Sequence, residues 1–374
     1  MDNMILNQTT MVEALDCTYL TNFMVEAGFP DITVTDFQME PAGGMSHGGG
    51  FVYRFRLTYS GTGANRAPRS FILKESRNLA SQAHDPGYAR REAACYRNGL
   101  FRDINEHLSI PKAYCIITHP ESGLYWIWME DLGRESFDVE WSQDVLVNSI
   151  RDIAELHAKW WERTEEFENM PFLRRRAQAM YDGLWVERIA RNCGMIEGHP
   201  QAAQISRVFT EDRQKLLQKL SKAEDIVYPK LEALPQTLLH HDIWLPNLGS
   251  YQGKTVLIDW SYVGQGTPGA DLSQTVALLV QMWDQDNLDD ELLLQALWSG
   301  LKEDWGIPVD YEDIRAGYEL TFCLRPAHAL GGPILGSILS GKSSMVGVSE
   351  LDRKLVSAEA TMQRVEKGVI RLNE

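Results

Sequence analysis

Apolar positions change period along the chain, and the changes mark its elements. Leu15, Tyr19, Leu20, Phe23 and Met24 recur at helical spacing within residues 11–28, and Gly28-Phe29-Pro30 supplies a stop, so a short leading helix is predicted. From Ile32 the pattern turns to strands. Residues 33–37 and 51–57 form two strand patterns around the glycine-rich stretch 43–50, and residues 70–75 form a third beyond a polar tip at 61–69. Asp85-Pro86 opens a helical pattern whose Ala-rich body runs from Tyr88 through Glu92 to Tyr96. Two more strand patterns, 110–117 and 123–129, follow around a turn at 119–123.

Beyond about residue 132 helical spacing takes over. Ile150, Ile153, Ala154, Leu156, His157, Trp160 and Trp161 line one side of a helix, which makes His157 a core histidine. Amphipathic pieces at 177–189 and 208–220 and a charged tail helix at 349–372 continue the series. One strand-like interruption stands out: residues 248–251 and 255–258 flank Gln252-Gly253, a two-residue hairpin connection in which glycine accepts a positive φ. The switch of pattern predicts an α+β chain of two lobes, an antiparallel-sheet lobe over residues 1–132 and a mainly helical lobe over 133–374.

Composition narrows the function classes. At 374 residues with 44% hydrophobic and 24% charged positions, the chain can bury a full core in each lobe. A net charge of −16 argues against a nucleic-acid partner, because phosphate backbones require a basic surface. A cationic small acceptor suits such a field, although overall charge says little about one pocket. The acidic stretch Asp284, Asp286, Asp289 and Asp290 offers such an acceptor a partner, against the ordinary reading of a solvated loop. The five cysteines are scattered and form no CxxC pair, so neither a disulfide framework nor a zinc site is expected, and a cytoplasmic setting fits. No leader pattern and no apolar run of about 18 residues is present, so no membrane association is expected.

The candidate chemistry lies between residues 240 and 259. His240-His241-Asp242 is followed by Asn247 and then, after the hairpin, by Val256-Leu257-Ile258-Asp259-Trp260. If Tyr251 faces Lys254, Asn247 comes opposite Ile258 and beside Asp259. An amide oxygen and a carboxylate then converge, which suits Mg²⁺ once phosphate and water complete its shell. Asp242, five residues before Asn247, is placed to accept a proton from an attacking hydroxyl. Taken singly, Asp242 reads as a loop hydrogen-bonder, Asn247 as a turn residue and Asp259 as a strand terminator. Their order and context favour a shared task.

On these residues the chain resembles the aminoglycoside phosphotransferase and choline kinase family, including its ecdysteroid-kinase-like bacterial small-molecule kinase branch. Members typically carry His-Gly-Asp, then Asn, then Ile-Asp-Trp; here His241 stands where glycine is usual. The resemblance implies a protein-kinase-like two-lobe fold and an ATP- and Mg²⁺-dependent transfer to a small-molecule hydroxyl, by a monomer or homodimer. It implies that Lys74 holds the α- and β-phosphates and that Glu92 pairs with Lys74. Met129 and Asp131 would offer main chain to the adenine edge, and Ser46 in the glycine-rich loop would touch phosphate. Asp271 reads as a helix N-cap with Gln274 as capping partner, and in the family the equivalent Asp also helps fix the catalytic loop. Two other readings compete. A catalytically silent nucleotide-binding pseudokinase would require a missing motif, and none is missing. A metal-dependent phosphohydrolase would use the adjacent His241-Asp242 pair, but it needs further His and Asp ligands on helices, whereas this pair precedes a hairpin.

Overall fold

Alternating apolar positions in residues 33–76 close into an antiparallel sheet because a helix is available to cover each face. The computed structural model describes residues 12, 15–42, 51–76, 87–119, 124–174, 182–283, 288–340 and 351–374. The chain divides into two units: Met1–Asp103 with Ile110–Ser136, and Ile104–Ser109 with Phe137–Glu374.

In the first unit, α1 (Cys17–Glu26) precedes β1 (Thr33–Pro41), β2 (Phe51–Ser60), β3 (Ser70–Ser76) and α2 (Tyr88–Arg97). The short β4 (Leu108–Ser109) belongs to the other unit, after which β5 (Ala113–His119) and β6 (Leu124–Glu130) complete the sheet in the order β1-β2-β3-β6-β5. The leading helix is shorter than its apolar pattern, because the Asp16 carboxylate accepts the Tyr19 amide at 2.7 Å and starts it at Cys17. β1 runs past the expected residue 37 because Gln38 to Pro41 continue to pair with β2. Successive strand residues point to opposite faces. Phe71 and Leu73 join Phe55, Trp126 and Trp128 under α1, where Phe23 stacks on Trp128 with centroids 4.4 Å apart. Ile72 packs the other way, against Ala93 of α2 and Ile127 and Met129 of β6. Period two therefore places Lys74 on the face that α2 covers. The glycine-rich stretch, and Ser46 with it, lies outside the described residues.

The second unit is mainly helical. It begins with α3 (Gln143–Lys159), α4 (Thr164–Glu168), α5 (Asp182–Met195), α6 (Ala202–Val208), α7 (Glu211–Leu220) and α8 (Glu224–Glu232). A helix over 208–220 was expected as one piece; it breaks because Thr210, in extended backbone, accepts the Arg213 amide and caps α7. Next come β7 (Thr237–Leu239), β8 (Leu248–Tyr251), β9 (Lys254–Leu257) and β10 (Gly264–Gly266). The chain ends with α9 (Pro268–Trp283), α10 (Asp290–Ser299), α11 (Tyr311–Phe322), α12 (Arg325–Ala329), α13 (Leu335–Ser340) and α14 (Leu351–Asn373). β7 pairs with β10, and β9 lies between β8 and the parallel β4. No helix among the described residues is long and apolar enough to cross a membrane.

Residues 104–109 join this unit through the β4–β9 pairing and through one buried carboxylate. The fully buried Glu155 carboxylate of α3 accepts the amides of Asn105, Glu106, His107 and Leu108 at 2.7, 2.9, 2.6 and 2.8 Å. Four amide donors offset the cost of burying a charge and hold β4 against β9. Glu155→Gln replaces one acceptor oxygen with a donor facing amides. It should cost about 3 kcal/mol in denaturant unfolding at unchanged m-value. A loss below about 0.5 kcal/mol would mean that the segment is held by something else.

Candidate active site

β7, buried throughout, carries the chain to His240, and the loop that follows is held by a carboxylate from α9. Asp271 accepts the His240 amide at 2.8 Å and the His241 amide at 2.7 Å, and its Oδ2 lies 3.3 Å from His157 Nε2. The expected N-cap role does not hold: α9 already begins at Pro268, so Asp271 sits inside its first turn with the carboxylate turned to the loop. Burial alone would raise the Asp271 pKa. The His157 hydrogen bond and the neighbouring histidines outweigh it and hold the carboxyl below its ordinary range. His157 is a buried core residue, as its helical position predicted.

His240 ties the loop to the hairpin. Its Nδ1 accepts the Asp242 amide at 3.2 Å, so the proton lies on Nε2, which donates to the Ile258 carbonyl at 3.0 Å. His241 adopts φ 62°, the left-handed region in which glycine is usual. Burial, joined by the charges of Arg174 and Arg325, lowers the His241 pKa to about 4, so the ring is neutral at pH 7.

The hairpin has the register read from its residues. Tyr251 pairs with Lys254 and Leu248 with Leu257, and the Ile258 amide donates to the Asn247 carbonyl at 3.1 Å. Gln252 and Gly253 both have positive φ, 53° and 77°, as a type I′ turn requires. Asn247 donates its amide nitrogen to the Asp242 carbonyl and to Oδ2, at 2.9 and 3.2 Å, which leaves its oxygen as the donor for a cation. Asp259 leaves β9 at φ 65° and accepts the Ser261 hydroxyl at 2.8 Å. Burial pushes the Asp242 carboxyl up to about 6; Arg325 opposes the rise and the charge of Asp259 adds to it. Asp242, Asn247 and Asp259 therefore share one locality. An amide oxygen and a carboxylate suit a hard cation that draws its other ligands from phosphate and water.

Sequence reasoning missed Arg325. Its Nη2 lies 3.6 Å from Asp242 Oδ1 and its Nη1 donates to the His241 carbonyl at 3.1 Å. The local sequence, Cys323-Leu324-Arg325-Pro326, marks only a helix start.

In the first unit Lys74 Nζ and Glu92 Oε2 are 2.5 Å apart, with the side chains 16% and 7% exposed, so the ion pair is largely shielded from water. Met129 lies within β6, paired with Ile72 and Ala113, whereas Asp131 follows the strand end. The Asp131 carboxylate binds Arg54 at 2.7 and 3.1 Å, the Ser70 hydroxyl and the Gly133 amide. Burial would raise Asp131, but these partners hold it below its ordinary range.

Residues 53–306 match the model of the phosphotransferase enzyme family (APH). No curated protein sequence matches the chain. Among solved structures the chain is similar to choline kinase from Cryptosporidium parvum Iowa II, at 13% identity over 96% of this chain and 99% of that chain, with a TM-score of 0.53. It is also similar to an aminoglycoside phosphotransferase from Alicyclobacillus acidocaldarius, at 14% identity over 90% of both chains, with a TM-score of 0.52. At such identities the likeness is one of fold, α+β and protein-kinase-like.

The buried Asp271 contact generates a stability prediction. Its contribution is complete above the unfolded carboxylate range of about 4 and fades as the pH falls through the lower folded value. Asp271→Asn, which loses one amide acceptor, should destabilise the protein by about 2 kcal/mol at pH 7 and speed hydrogen exchange at the His240 and His241 amides. Unchanged exchange there would show that the carboxylate does not hold the loop.

Proposed function

The chain belongs to the phosphotransferase enzyme family and is a small-molecule phosphotransferase, and we propose that it moves the γ-phosphoryl group of ATP to an acceptor hydroxyl with Mg²⁺ bound. The observation that carries this reading is the grouping of Asp242, Asn247 and Asp259 on a loop and hairpin joined through His240 and Asp271. Asp242 would orient the acceptor hydroxyl and take its proton as the new P–O bond forms and the bond to ADP breaks. With its pKa near 6 it is ionised at pH 7 yet more basic than an ordinary aspartate. Asn247 and Asp259 would hold Mg²⁺, which when bound neutralises phosphate charge. Lys74, oriented by Glu92, would meet the α- and β-phosphates. The main chain at Met129 and Asp131 would meet the adenine edge.

The pseudokinase alternative keeps Mg-ATP binding and loses turnover. The phosphohydrolase alternative fits less well. Among the described residues no three His, Cys, Asp or Glu side chains converge as a metal site.

A coupled ADP-release screen over amino alcohols, aminoglycosides, sugars, nucleosides and sterols tests the reading. Asp242→Ala should lower turnover by about 10²- to 10⁴-fold while nucleotide binding stays largely intact. Retained turnover would remove Asp242 from its role. The acid limb of kcat/KM should lie above the ordinary aspartate range of about 4 and at or below about 6, because a cation on Asp259 cancels part of the upward push. A limb at 4 or lower would show that burial does not tune the base.

A further inference from the structure

The groups beside Asp242 bear on the acceptor's charge. Arg325 is 27% exposed and reaches Asp242 Oδ1 at 3.6 Å, next to the position an acceptor hydroxyl must take. Its Nη1 is tied to the His241 carbonyl at 3.1 Å, and Gln274, with its amide oxygen turned inward, accepts from Nη1 and Nε at 2.9 and 3.1 Å. A second guanidinium lies close by. Arg174 and Arg325 are centred 5.2 and 5.4 Å from the ring of Tyr262, and both charges also act on His241.

The acidic groups that sequence reading offered to a cationic acceptor are otherwise engaged where they are described. Asp289 caps α10 through the Leu292 amide, and Asp290 is bound by Arg364 Nη2 and Nε at 2.6 and 2.9 Å. Asp271 is buried on two amides.

We propose that Arg325 is the specificity-determining residue of the acceptor side, and that the acceptor carries an anionic group, a carboxylate or a phosphate, near its reacting hydroxyl. This rests on the phosphotransfer reading. The Arg325 cation attracts such an anion at contact and repels an ammonium at the same distance, so one residue supplies both attraction and exclusion. The net charge of −16 acts the other way at long range. Screening over about 8–10 Å at physiological salt leaves the contact charges in control. Because Arg325 is held in place by His241 and Gln274, little order has to be created on binding.

The test uses acceptors matched on one scaffold: a sugar, its sugar acid, its phosphate ester and its amino sugar. In the full chain, kcat/KM for an anionic member should exceed that of the neutral sugar at least tenfold, with the amino sugar lowest. The better of the two anions identifies the group. Arg325→Gln also disturbs Asp242, so the readout is the anionic-to-neutral ratio, in which effects on the base cancel. That ratio should fall at least tenfold, chiefly through KM, be kept in part by Arg325→Lys and invert in Arg325→Glu. Turnover of the amino sugar above the sugar acid and the phosphate ester, or a ratio untouched by Arg325→Glu, overturns the proposal. Should no member release ADP, acceptor binding by ligand-observed NMR decides in the same order, and equal binding of all charges overturns it. Absence of Mg-ATP binding would instead sink the phosphotransfer reading itself.

Discussion

A single buried carboxylate, Asp271, governs the geometry of residues 240–259. Two successive amides, of His240 and His241, end on its two oxygens, so the backbone direction at the end of β7 is set from α9 and not by the loop's own preferences. With that direction fixed, the His240 ring can reach the Asp242 amide with one nitrogen and the Ile258 carbonyl with the other. Asp242 and the strand carrying Asp259 are thereby positioned by the same imidazole. Neutral hydrogen bonds contribute about 1 kcal/mol each and bonds to a charged acceptor about twice that, so the two amide bonds outweigh the others in holding the loop. Glu155 repeats the device with four amides, and what it holds, residues 104–109, includes the strand beside β9. In both places a helix supplies an acid to successive backbone amides at the end of a short strand.

The same loop and hairpin hold backbone strain. His241 and Asp259 both adopt left-handed φ, 62° and 65°, a conformation that costs a non-glycine residue about 1–2 kcal/mol. Each is held by its surroundings: His241 by Asp271 and by Arg325 on its carbonyl, Asp259 by the hairpin register before it and the Ser261 hydroxyl after it. Backbone in such regions persists where neighbours over-determine it, and it concentrates at functional sites.

Much of this was legible in the residues because it depends on short-range periodicity. The two-residue turn fixed Asn247 opposite Ile258, whereas the pairing of Lys74 with Glu92 came from the family resemblance. What escaped depends on contacts that no local pattern records. Asp271 followed by Gln274 looks like a cap, and only the start of α9 at Pro268 shows that the carboxylate is released for another use. Arg325 lies 83 residues from Asp242 in sequence and carries no motif. β4 is two residues long and gains its identity from β9 alone, so no propensity could have announced it.

The histidine at 241, where relatives of this kind usually have glycine, finds its physical reason in a second position. A side chain in left-handed backbone needs room as well as restraint, and the ring of His241 turns toward β10. There a Cβ on Gly266 would lie 2.5 Å from Leu239 Cδ1 and 3.6 Å from His241 Cε1. A side chain at 266 would therefore press on Leu239, in the strand that leads into the loop, and its Cβ would touch the His241 ring at ordinary contact distance. With glycine at 266 the bulk fits at 241. The ring must then stay uncharged, because burial and two guanidiniums disfavour a proton there, so the substitution adds volume beside Asp242 without adding a competing charge.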